Sequence, residues 1–521
     1  MKELKPLPIG IQTFKDIIEG GYLYIDKTRY IYEMVKAPKG VFFLSRPRRF
    51  GKSLLISTLA EIFKGNKELF KGLWIYDSNY KWKKHPIVRF DFSLIMSETP
   101  EELKELIKSR INEIAEVNEI ELKEEIYTAR FRELLRKLIE KSGGSKVVIL
   151  IDEYDKPIID HIEEVEIAVK MREILKSFYT IIKGMDEYIR FVLLTGVSKF
   201  SKAGVFSGLN NLEDITMANR YATMLGITQE ELEKYFEAYI EELGKAEGLS
   251  REETLGKILE WYNGYCFSRN CERVYNPFSV LRLFKEKAFT NYWFESGTPS
   301  FLIKLMREKD FDVTRIPMEV KEAMFTVYEV DRLEVIPLLF QTGYLTISGY
   351  DKKWNRYKLD YPNKEVKESF TDILLREYTE ERVDNGMIDY LKESIEEGDI
   401  KKFFEILEKI FHQIPYDIRV KAERYYQSIF YLIFVLIGVD IETEVRTDVG
   451  RIDTVIKYGD KIYIFEFKIG GRKEEAIEQI KEKRYWERYE GESKDIVLIG
   501  AGFKIERKEG EKAIEYEAEK V

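Results

Sequence analysis

Four apolar runs in the N-terminal part of the chain predict the strands of one sheet: 41–44, 87–92, 147–151 and 189–194. The run 147–151 is β-branched and does not alternate, which is typical of a central parallel strand covered on both faces. The run 87–92 alternates in polarity. Helical spacing follows at 54–63 and over 101–142. Together these patterns predict an α/β domain with a parallel sheet.

The rest of the chain changes character twice. Helical patterns dominate up to about residue 399 and are interrupted by the strand-like segment 343–347, for which a winged-helix element is one interpretation. An aromatic helix then precedes two alternating runs, 451–458 and 461–468, around Gly459-Asp460. We therefore predict three domains: 1–225, a mainly helical lid or connector at 226–405, and a C-terminal α/β domain at 406–521.

The N-terminal segment 22–28 alternates like a strand and leads into a predicted helix that Asp26 or Thr28 can cap. Two interpretations stay open for it. It is a packing arm beside the next domain, or it contacts the base or ribose of a nucleotide.

Composition narrows the class of protein. The 521 residues are 44% hydrophobic and carry a net charge of −9, so we expect folded domains and no global nucleic-acid footprint. Cys266 and Cys271 have no histidine nearby, so neither a zinc site nor a disulfide framework is expected. No run approaches the length of a membrane span, and the N-terminus lacks an apolar signal core. We expect a cytoplasmic protein without membrane contact.

The loop that follows the first run carries the first candidate chemistry. Gly51-Lys52-Ser53 lies between the apolar run and a helix, which is the order of a phosphate-binding loop. Backbone N–H groups and the helix N-terminus would face phosphates, Lys52 would reach the outer ones, and Ser53 would hold Mg²⁺. Arg46 stands where the full pattern has glycine, so a partner strand is needed to support the assignment.

Asp152 and Glu153 supply that partner, because they end the continuous run where open α/β sheets bind ligands. Asp152 can hold Mg²⁺ opposite Ser53, and Glu153 can orient and deprotonate the attacking water. Thr195 ends the next run and can sense the γ-phosphate. If this segment is considered alone, the alternative interpretation is that the two acids only cap the chain after a strand. The full set of predicted nucleotide contacts is Arg48, Arg49, Phe50, Gly51, Lys52, Ser53, Leu54, Asp152 and Thr195.

A second acidic cluster belongs to the C-terminal hairpin. If Gly459-Asp460 is a two-residue turn, Asp453 lies opposite Glu466, and Lys468 points the same way. Like charges placed opposite each other destabilise a sheet, and a divalent cation would relieve the repulsion. Lys468 could then position or activate a water that attacks a phosphodiester. The alternative is an exposed hairpin with a solvated charge cluster.

Polar residues on the following helix extend this cluster. Gln479, Lys483 and Trp486 follow helical spacing, with Tyr485 beside them, and can approach a sugar–phosphate backbone. A solvated helix face is the alternative for Lys483. Upstream, Glu423 lies on a predicted helix that could bring a third carboxylate over the metal.

Two family resemblances rest on these residues. The segments YIDKT, FLSRPRRFGKS, VVILIDEYD and LLTGVSKFS, within roughly 5–282, resemble the AAA-ATPase-like family of bacteria and archaea, whose loop characteristically carries RPRRFGKS. The C-terminal part resembles a PD-(D/E)XK nuclease domain. There Glu423 matches the first-helix acid, Asp453 the metal-binding aspartate, Glu466 and Lys468 the E-x-K, and Gln479 with Tyr485 the helix after it. The resemblance implies a RecA- or AAA-like P-loop ATPase fused to a restriction-endonuclease-like fold.

The sequence thus predicts an ATPase whose nucleotide site controls a Mg²⁺-dependent nuclease, with Mn²⁺ as an alternative metal at the second site. Glu153, Asp453, Glu466 and Lys468 are the predicted catalytic residues. The predicted metal ligands are Ser53, Asp152, Glu423, Asp453 and Glu466. DNA is the expected partner and RNA stays open, as does a homo-oligomer, which an ATP site completed in trans would require. The rival interpretation is a nucleotide-switched binding or signalling module that does not cleave.

Overall fold

The computed structural model describes residues 4–199, 206, 211–293, 300–309, 311–325, 332–379, 383, 385–413, 423–438, 440–447, 450–492, 494–504 and 511–521. The chain divides into two compact units. The first comprises Met1–Lys309 with Pro317–Val366, and the second Asp310–Ile316 with Lys367–Val521. The predicted domain limits at 225 and 405 stay predictions. The sequence also has a polar, turn-rich loop at 206–212, for which a nucleotide-sensing role and a structural role both stay open; its residues 207–210 lie outside the described part.

The described residues of the first unit form ten strands. They are β1 (Gly40–Ser45), β2 (Ile87–Asp91), β3 (Val147–Asp152), β4 (Ile189–Gly196), β5 (Glu213–Asp214), β6 (Tyr265–Cys266), β7 (Arg273–Val274), β8 (Met318–Val320), β9 (Thr346–Asp351) and β10 (Arg356–Asp360).

Its helices are α1 (Phe14–Glu19), α2 (Thr28–Val35), α3 (Lys52–Phe63), α4 (Pro100–Val117), α5 (Tyr127–Lys141), α6 (Lys156–Ile159), α7 (Val165–Gly184), α8 (Gln229–Glu247), α9 (Arg251–Tyr262), α10 (Pro277–Glu286), α11 (Ser300–Glu308) and α12 (Val335–Thr342). The helix α13 (Lys364–Tyr378) begins at the end of this unit.

One parallel sheet organises the first unit, with strand order β2-β3-β4-β1-β5. All residues of β1 and β3 are buried, whereas β2, at the edge, is buried only at alternate positions, as the polarity of its sequence predicts. This order places the end of β4 between the ends of β1 and β3. The loop after β1, the acids after β3 and the threonine of β4 therefore meet at the carboxyl edge of the sheet.

Two predicted elements of this unit differ from the structure. The helical pattern over 101–142 is two helices, α4 and α5, with 118–126 between them. The alternating segment 22–27 is not a strand, since its backbone joins no sheet. It is an extended arm whose Leu23 and Ile25 pack against a helical core formed by α8, α9 and α10. Alternation there reflects burial of one face against helices.

The second unit contains the strands β11 (Asp440–Thr447), β12 (Gly450–Tyr458), β13 (Lys461–Ile469), β14 (Asp495–Phe503) and β15 (Ile514–Lys520), with the helices α14 (Asn385–Glu397), α15 (Ile400–Gln413), α16 (Glu423–Ile437) and α17 (Lys473–Lys483). The sheet order is β11-β12-β13-β14-β15, and only β13 and β14 are parallel. The crossover α17 packs on β13 and β14. Within the described part of the chain, every helix is too short or too polar to span a bilayer.

Candidate nucleotide and metal sites

The loop between β1 and α3 takes its shape from positive-φ residues at its tip. Arg49 has φ 70° and Gly51, the N-cap of α3, has φ 85°. No side chain caps α3. The first N–H groups of this twelve-residue helix therefore have no capping partner from a side chain and carry the positive end of its dipole, an arrangement suited to phosphate.

Arg46, which stands in place of the usual glycine, is a structural residue of this loop. It is 1% exposed, and its guanidinium donates to the carbonyls of Ser45, Thr216 (2.7 Å) and Tyr221 (3.3 Å). The guanidinium carbon lies 4.1 Å from the centre of the Phe267 ring. Burial lowers the pKa of Arg46 to about 9, and Asp214 opposes that shift. The side chain thus connects the loop to two segments distant in sequence, the one at 216–221 and the one at Phe267.

Lys52 lies inside the loop and is 6% exposed. Its ammonium donates to the carbonyl oxygens of Arg46 (2.9 Å) and Pro47 (3.0 Å). Burial lowers its pKa, while the nearby acids Asp152 and Glu153 act in the opposite direction. The lysine is therefore a buried cation between the loop and the acids after β3.

Asp152 and Thr195 form a direct pair at the carboxyl edge. The Thr195 hydroxyl donates to Oδ1 of Asp152 at 2.6 Å. Asp152 is 1% exposed, and its Oδ2 is buried with no hydrogen-bond partner. An unpaired buried carboxylate oxygen is costly unless a ligand uses it. The geometry therefore fits a cation held at Oδ2, while Thr195 orients the carboxylate.

Glu153 is half-buried and adopts φ 49°, a left-handed conformation that is uncommon for glutamate. Burial raises its pKa, and Lys52 is the largest opposing influence, with Arg48 also opposing. The raised pKa makes this carboxylate a stronger base than an ordinary glutamate, which suits a residue that accepts a proton.

The three residues between Pro47 and Gly51 differ in their contacts. Phe50 is buried against the rings of Tyr265 and Phe267, at centroid distances of 4.9 and 5.3 Å. Arg49 is exposed and stacks over Phe278 at 4.6 Å. Arg48 is also exposed, and its carbonyl accepts the Trp293 indole N–H at 3.4 Å. The segments at 265–293 therefore brace the loop from one side.

A mostly apolar cavity of about 120 Å³ adjoins this loop. It is lined by the N-terminal arm with α1 and α2, by the end of the loop and the start of α3, by the segment before α8, and by α10. Representative lining residues are Tyr24, Ile25, Gly51, Leu54, Leu225 and Gly226. Lys27 at its rim donates to Glu231 (2.6 Å) and to the carbonyl of Thr223 (2.9 Å), which joins the arm to α8.

The second site is built on the hairpin β12–β13. Tyr458 pairs with Lys461 and Thr454 with Phe465, which is the register that the two-residue turn predicts. Extending this pairing by one residue brings Asp453 opposite Glu466. Asp453 is half-buried, and its Oδ2 accepts the Phe467 N–H at 2.9 Å. The hairpin thus brings the two acids together as expected.

Glu466 is the buried centre of this site, at 2% exposure. Its Oε1 accepts the Gln479 side-chain amide, and Lys468 lies 3.5 Å from the same oxygen. Lys468 also donates to Gln479 Oε1 at 2.6 Å. Glu466 Oε2 is buried and has no hydrogen-bond partner. One oxygen is therefore oriented by neighbours and the other stands open to a ligand.

The electrostatics of Glu466 follow from its position. Burial, followed by the charge of Asp453, raises its pKa from 4.5 to about 8, and Lys468 opposes the shift. A divalent cation between two such acids would stabilise their ionised forms. Among the described side chains, no group of three His, Cys, Asp or Glu residues has metal-binding geometry. The site therefore offers two acids and the unpaired Oε2, which fit a hydrated Mg²⁺.

Comparisons with known proteins match the two domains that carry these candidate sites. The family model described as "Predicted AAA-ATPase" matches residues 8–206, and the model of the PD-(D/E)XK nuclease superfamily matches 421–512. The chain is 38% identical over 519 residues to the "Uncharacterized protein in vnfD 5'region" of Azotobacter chroococcum mcd 1, covering 96% of each chain. The chain belongs to the predicted AAA-ATPase family.

In this AAA-ATPase-family protein, the parallel sheet and the C-terminal PD-(D/E)XK domain confirm the predicted fold class. The structure brings Lys52, Asp152, Glu153 and Thr195 to one edge of the first sheet, and Asp453, Glu466, Lys468 and Gln479 to one hairpin and its crossover helix. Ser53 and Leu54 follow Lys52 in the first turn of α3.

The prediction that Tyr485 contacts nucleic acid is wrong. Its side chain is 2% exposed and packs in an apolar cluster with Ile477 and Ile480. The helix also ends at Lys483, because Arg484 adopts φ 50°, so Trp486 does not continue the helical face. Lys483 is exposed at the helix end. Glu423 begins α16, but its side chain lies outside the described residues.

Asp155 is a residue of the nucleotide site that sequence reasoning missed. It is buried and accepts the backbone N–H groups of Val197 (3.1 Å) and Ser198 (2.6 Å), together with the Ser198 hydroxyl. Gly196 leaves room for it, because a Cβ there would lie 2.5 Å from Asp155 Oδ1. The sequence signal that could have identified it is its place as the third acid of the IDEYD motif. Through its hydrogen bonds, Asp155 connects the segment after β4 to the acids at the end of β3.

Proposed function

We propose that this AAA-ATPase-family protein binds and hydrolyses ATP at the β1–α3 loop and uses that cycle to control a Mg²⁺-dependent nuclease in its C-terminal domain that cleaves DNA. One observation carries the proposal. Each site contains a buried carboxylate, Asp152 or Glu466, with one oxygen oriented by a neighbouring side chain and the other unpaired. Each also has a lysine close by, Lys52 or Lys468.

At the first site, the α3 N-terminus and Lys52 would bind the phosphates. Ser53 and Asp152 would hold Mg²⁺, and Glu153 would orient and deprotonate the attacking water. Thr195 would respond to the γ-phosphate through its bond to Asp152. The apolar cavity between arm and loop is suited to the base, which favours the second interpretation of the N-terminal arm.

At the second site, Asp453 and Glu466 would hold the metal, and Mn²⁺ is an alternative occupant. Mg²⁺, when bound, polarises a phosphoryl oxygen and lowers the pKa of a bound water. Gln479 orients both Glu466 and Lys468, which leaves the lysine ammonium directed to this cluster. Lys483 at the exposed helix end would contact the sugar–phosphate backbone.

A second candidate function is a nucleotide-switched binding module that does not cleave. It is favoured by the raised pKa of Glu466, about 8, which keeps this carboxyl protonated at neutral pH until a cation enters. In that case the C-terminal domain would bind nucleic acid or a partner, and ATP would act as a conformational latch.

The deciding experiment measures phosphate release and nucleic-acid cleavage together. Wild type, Lys52→Ala and Asp453→Ala are compared with the control Asp460→Asn, which alters the exposed turn of the same hairpin. Substrates are single- and double-stranded DNA and RNA, in Mg²⁺, Mn²⁺ or EDTA.

We expect Lys52→Ala to abolish phosphate release, Asp453→Ala to abolish cleavage alone, and Asp460→Asn to retain both. Tight ATP binding without turnover or cleavage would favour the latch. Wild type that neither binds ATP nor cleaves in any metal would contradict both candidates.

A further inference from the structure

The turn between β9 and β10 is exposed, yet hydrogen bonds define its shape. Arg356 pairs with Asp351, so residues 352–355 form the turn. The Oδ1 atom of Asp351 accepts the backbone N–H groups of Lys353 (2.8 Å) and Trp354 (3.1 Å). The acid at the start of the turn therefore fixes the path of its backbone.

The base of the same hairpin is anchored in the first unit. Tyr357 on β10 is fully buried, and its ring centre lies 4.8 Å from that of Tyr350 and 5.1 Å from that of Phe325. The Tyr357 hydroxyl accepts the Arg269 Nε–H at 2.6 Å. A turn supported in this way holds its side chains in place, which lowers the entropy lost when a ligand binds.

The side chains on this turn combine one large ring with several cations. Trp354 is 61% exposed, more than any of the other five tryptophans of the chain, and Lys353 lies 5.1 Å from the centre of its ring. The exposed cations of the hairpin are Lys352, Lys353, Arg356 and Lys358. Among the described residues, none of the three lysines forms an ion pair, and Arg356 lies 3.4 Å from Glu319. The hairpin is therefore a positive surface on a chain whose net charge is −9.

We propose that the β9–β10 hairpin binds single-stranded nucleic acid, with Trp354 stacked on an unpaired base and the cations of 352–358 beside the flanking phosphates. Binding of single strands without sequence preference typically combines an aromatic stacking platform with positive charge along the backbone. A lone exposed ring or a lone surface lysine would need no explanation. Here both features occur on one ordered turn.

The neighbouring helix favours a single strand over a duplex. The order α11, β8, α12, β9, β10, with the sheet order β8-β10-β9, fits the winged-helix interpretation of this segment. In helix-turn-helix proteins the second helix enters the major groove of the duplex. In this chain six of the eight residues of α12 are buried, and Gln341 accepts the Lys199 backbone N–H at 2.7 Å. Helix α12 is therefore not free to enter a groove, and the hairpin provides the exposed contact.

The binding site can be tested apart from cleavage. That the hairpin holds the substrate of the nuclease rests on the proposed function, whereas binding of a strand to the hairpin does not. In EDTA no strand is cleaved by a metal-dependent nuclease, so equilibrium binding reports the hairpin without the second site's chemistry.

Fluorescence anisotropy of the full chain in EDTA measures this binding. The labelled probes are oligo(dT), oligo(U), a blunt DNA duplex and poly-glutamate. The variants are Trp354→Ala, Trp354→Phe and Lys352→Ala/Lys358→Ala. The matched controls are Trp74→Ala, which removes a 45% exposed ring, and Lys71→Ala/Lys81→Ala, which removes two exposed lysines.

We expect Trp354→Ala to weaken the binding of single strands about tenfold, because stacking on one base is lost. Trp354→Phe should retain most of the affinity, since phenylalanine also stacks. The lysine pair on the hairpin should lower the slope of log affinity against log salt by about 1. Both controls should match wild type. Binding of either oligonucleotide supports the proposal, and the tighter one identifies the preferred sugar.

Equal affinities of wild type and Trp354→Ala overturn the proposal, as does an equal loss in Trp74→Ala or an equal loss for the duplex. Binding of poly-glutamate but of no oligonucleotide also overturns it and assigns the hairpin to an acidic protein partner. A separate cleavage assay in Mg²⁺ distinguishes the two proposals. Binding that depends on Trp354 without cleavage leaves this site standing while the proposed nuclease fails, and cleavage with unchanged binding in Trp354→Ala gives the reverse result.

Discussion

The two candidate sites orient a buried carboxylate in the same way, yet they assemble it over very different stretches of chain. Thr195, which holds Asp152, is 43 residues away, and Arg46 reaches carbonyls 170 and 175 residues away. Gln479, which holds Glu466, is 13 residues away on the next helix. The second site is therefore formed by residues close together in sequence. The first site requires contacts between segments that are far apart in sequence.

This difference predicts how amino-acid substitutions affect each site. A change within the hairpin or α17 should affect the second site alone. A substitution in any of several segments distant in sequence should affect the first site. The following variants are ordered from the largest expected effect to the smallest.

Replacing Glu466 by glutamine should have the largest effect. The change preserves size but removes the carboxyl group that would ionise when a cation binds beside Asp453, so we expect the site to lose its metal. We expect the activation barrier of cleavage to rise by about 4 kcal/mol, so that the cleavage rate falls roughly 10³-fold. Phosphate release should be unchanged. Glu478→Gln, an exposed acid on the next helix, is the matched control, and cleavage surviving in Glu466→Gln would remove this residue from the site.

Glu153→Gln should slow ATP turnover without loss of ATP binding. Removing a positioned base typically costs about 10²- to 10⁴-fold, and glutamine keeps the side chain's shape. Phosphate release and equilibrium binding of ATP report the two quantities. The exposed Glu187→Gln is the control. A turnover equal to wild type would assign Glu153 to loop structure instead of catalysis.

A comparison of Gln479→Ala with Lys483→Ala tests whether neighbouring residues on α17 orient the side chains of the second site. Loss of Gln479 leaves Glu466 and Lys468 without their shared partner, so metal affinity and cleavage should fall about 10- to 100-fold. Lys483 is exposed at the helix end, and its loss should alter only the salt dependence of nucleic-acid binding. Calorimetric Mg²⁺ titration separates the two. Equal metal affinities in both variants would contradict the orienting role of Gln479.

The pKa of Glu466 predicts a pH dependence specific to the second site. Because the folded state raises that pKa from 4.5 to about 8, the folded protein binds the proton more tightly than the unfolded chain does. The stabilising contribution is present at low pH and is lost as pH rises toward about 8 in EDTA. Mg²⁺ affinity should rise about tenfold per pH unit below that value. Thermal unfolding of wild type and Glu466→Gln tests this, and identical pH profiles would refute it.

The loop arginines should give the smallest effects. Arg49→Ala removes an exposed cation–π contact worth about 0.5–1 kcal/mol, so ATP affinity should change only a few-fold. Arg48→Ala should weaken ATP binding more, because Arg48 is close enough to influence the pKa values of both Lys52 and Glu153. Unchanged binding in both variants would make the two residues scaffold.

The sequence predicts the local site more completely than the dispersed one. The two-residue turn determines the hairpin register, so Asp453 and Glu466 could be paired from sequence alone. The apolar runs likewise predict the strands that carry Asp152 and Thr195. Arg46 could only be recorded as a departure from the usual pattern, because its acceptors are distant in sequence. The buried position of Tyr485 was missed because helix α17 ends at Lys483, and its C-cap, Arg484, is not the glycine that would have indicated the end.

Arg46 also bears on how the chain folds. A glycine-tipped loop can adopt its shape as soon as its own strand and helix form, but this loop depends on Thr216, Tyr221 and Phe267, which are synthesised long after it. Contacts of such high sequence separation form late, since the intervening chain must first be ordered. A fragment limited to 8–206 would lack all three. Nucleotide binding should therefore appear as one of the last steps of folding. We expect ATP to bind only to chains whose synthesis has passed residue 267.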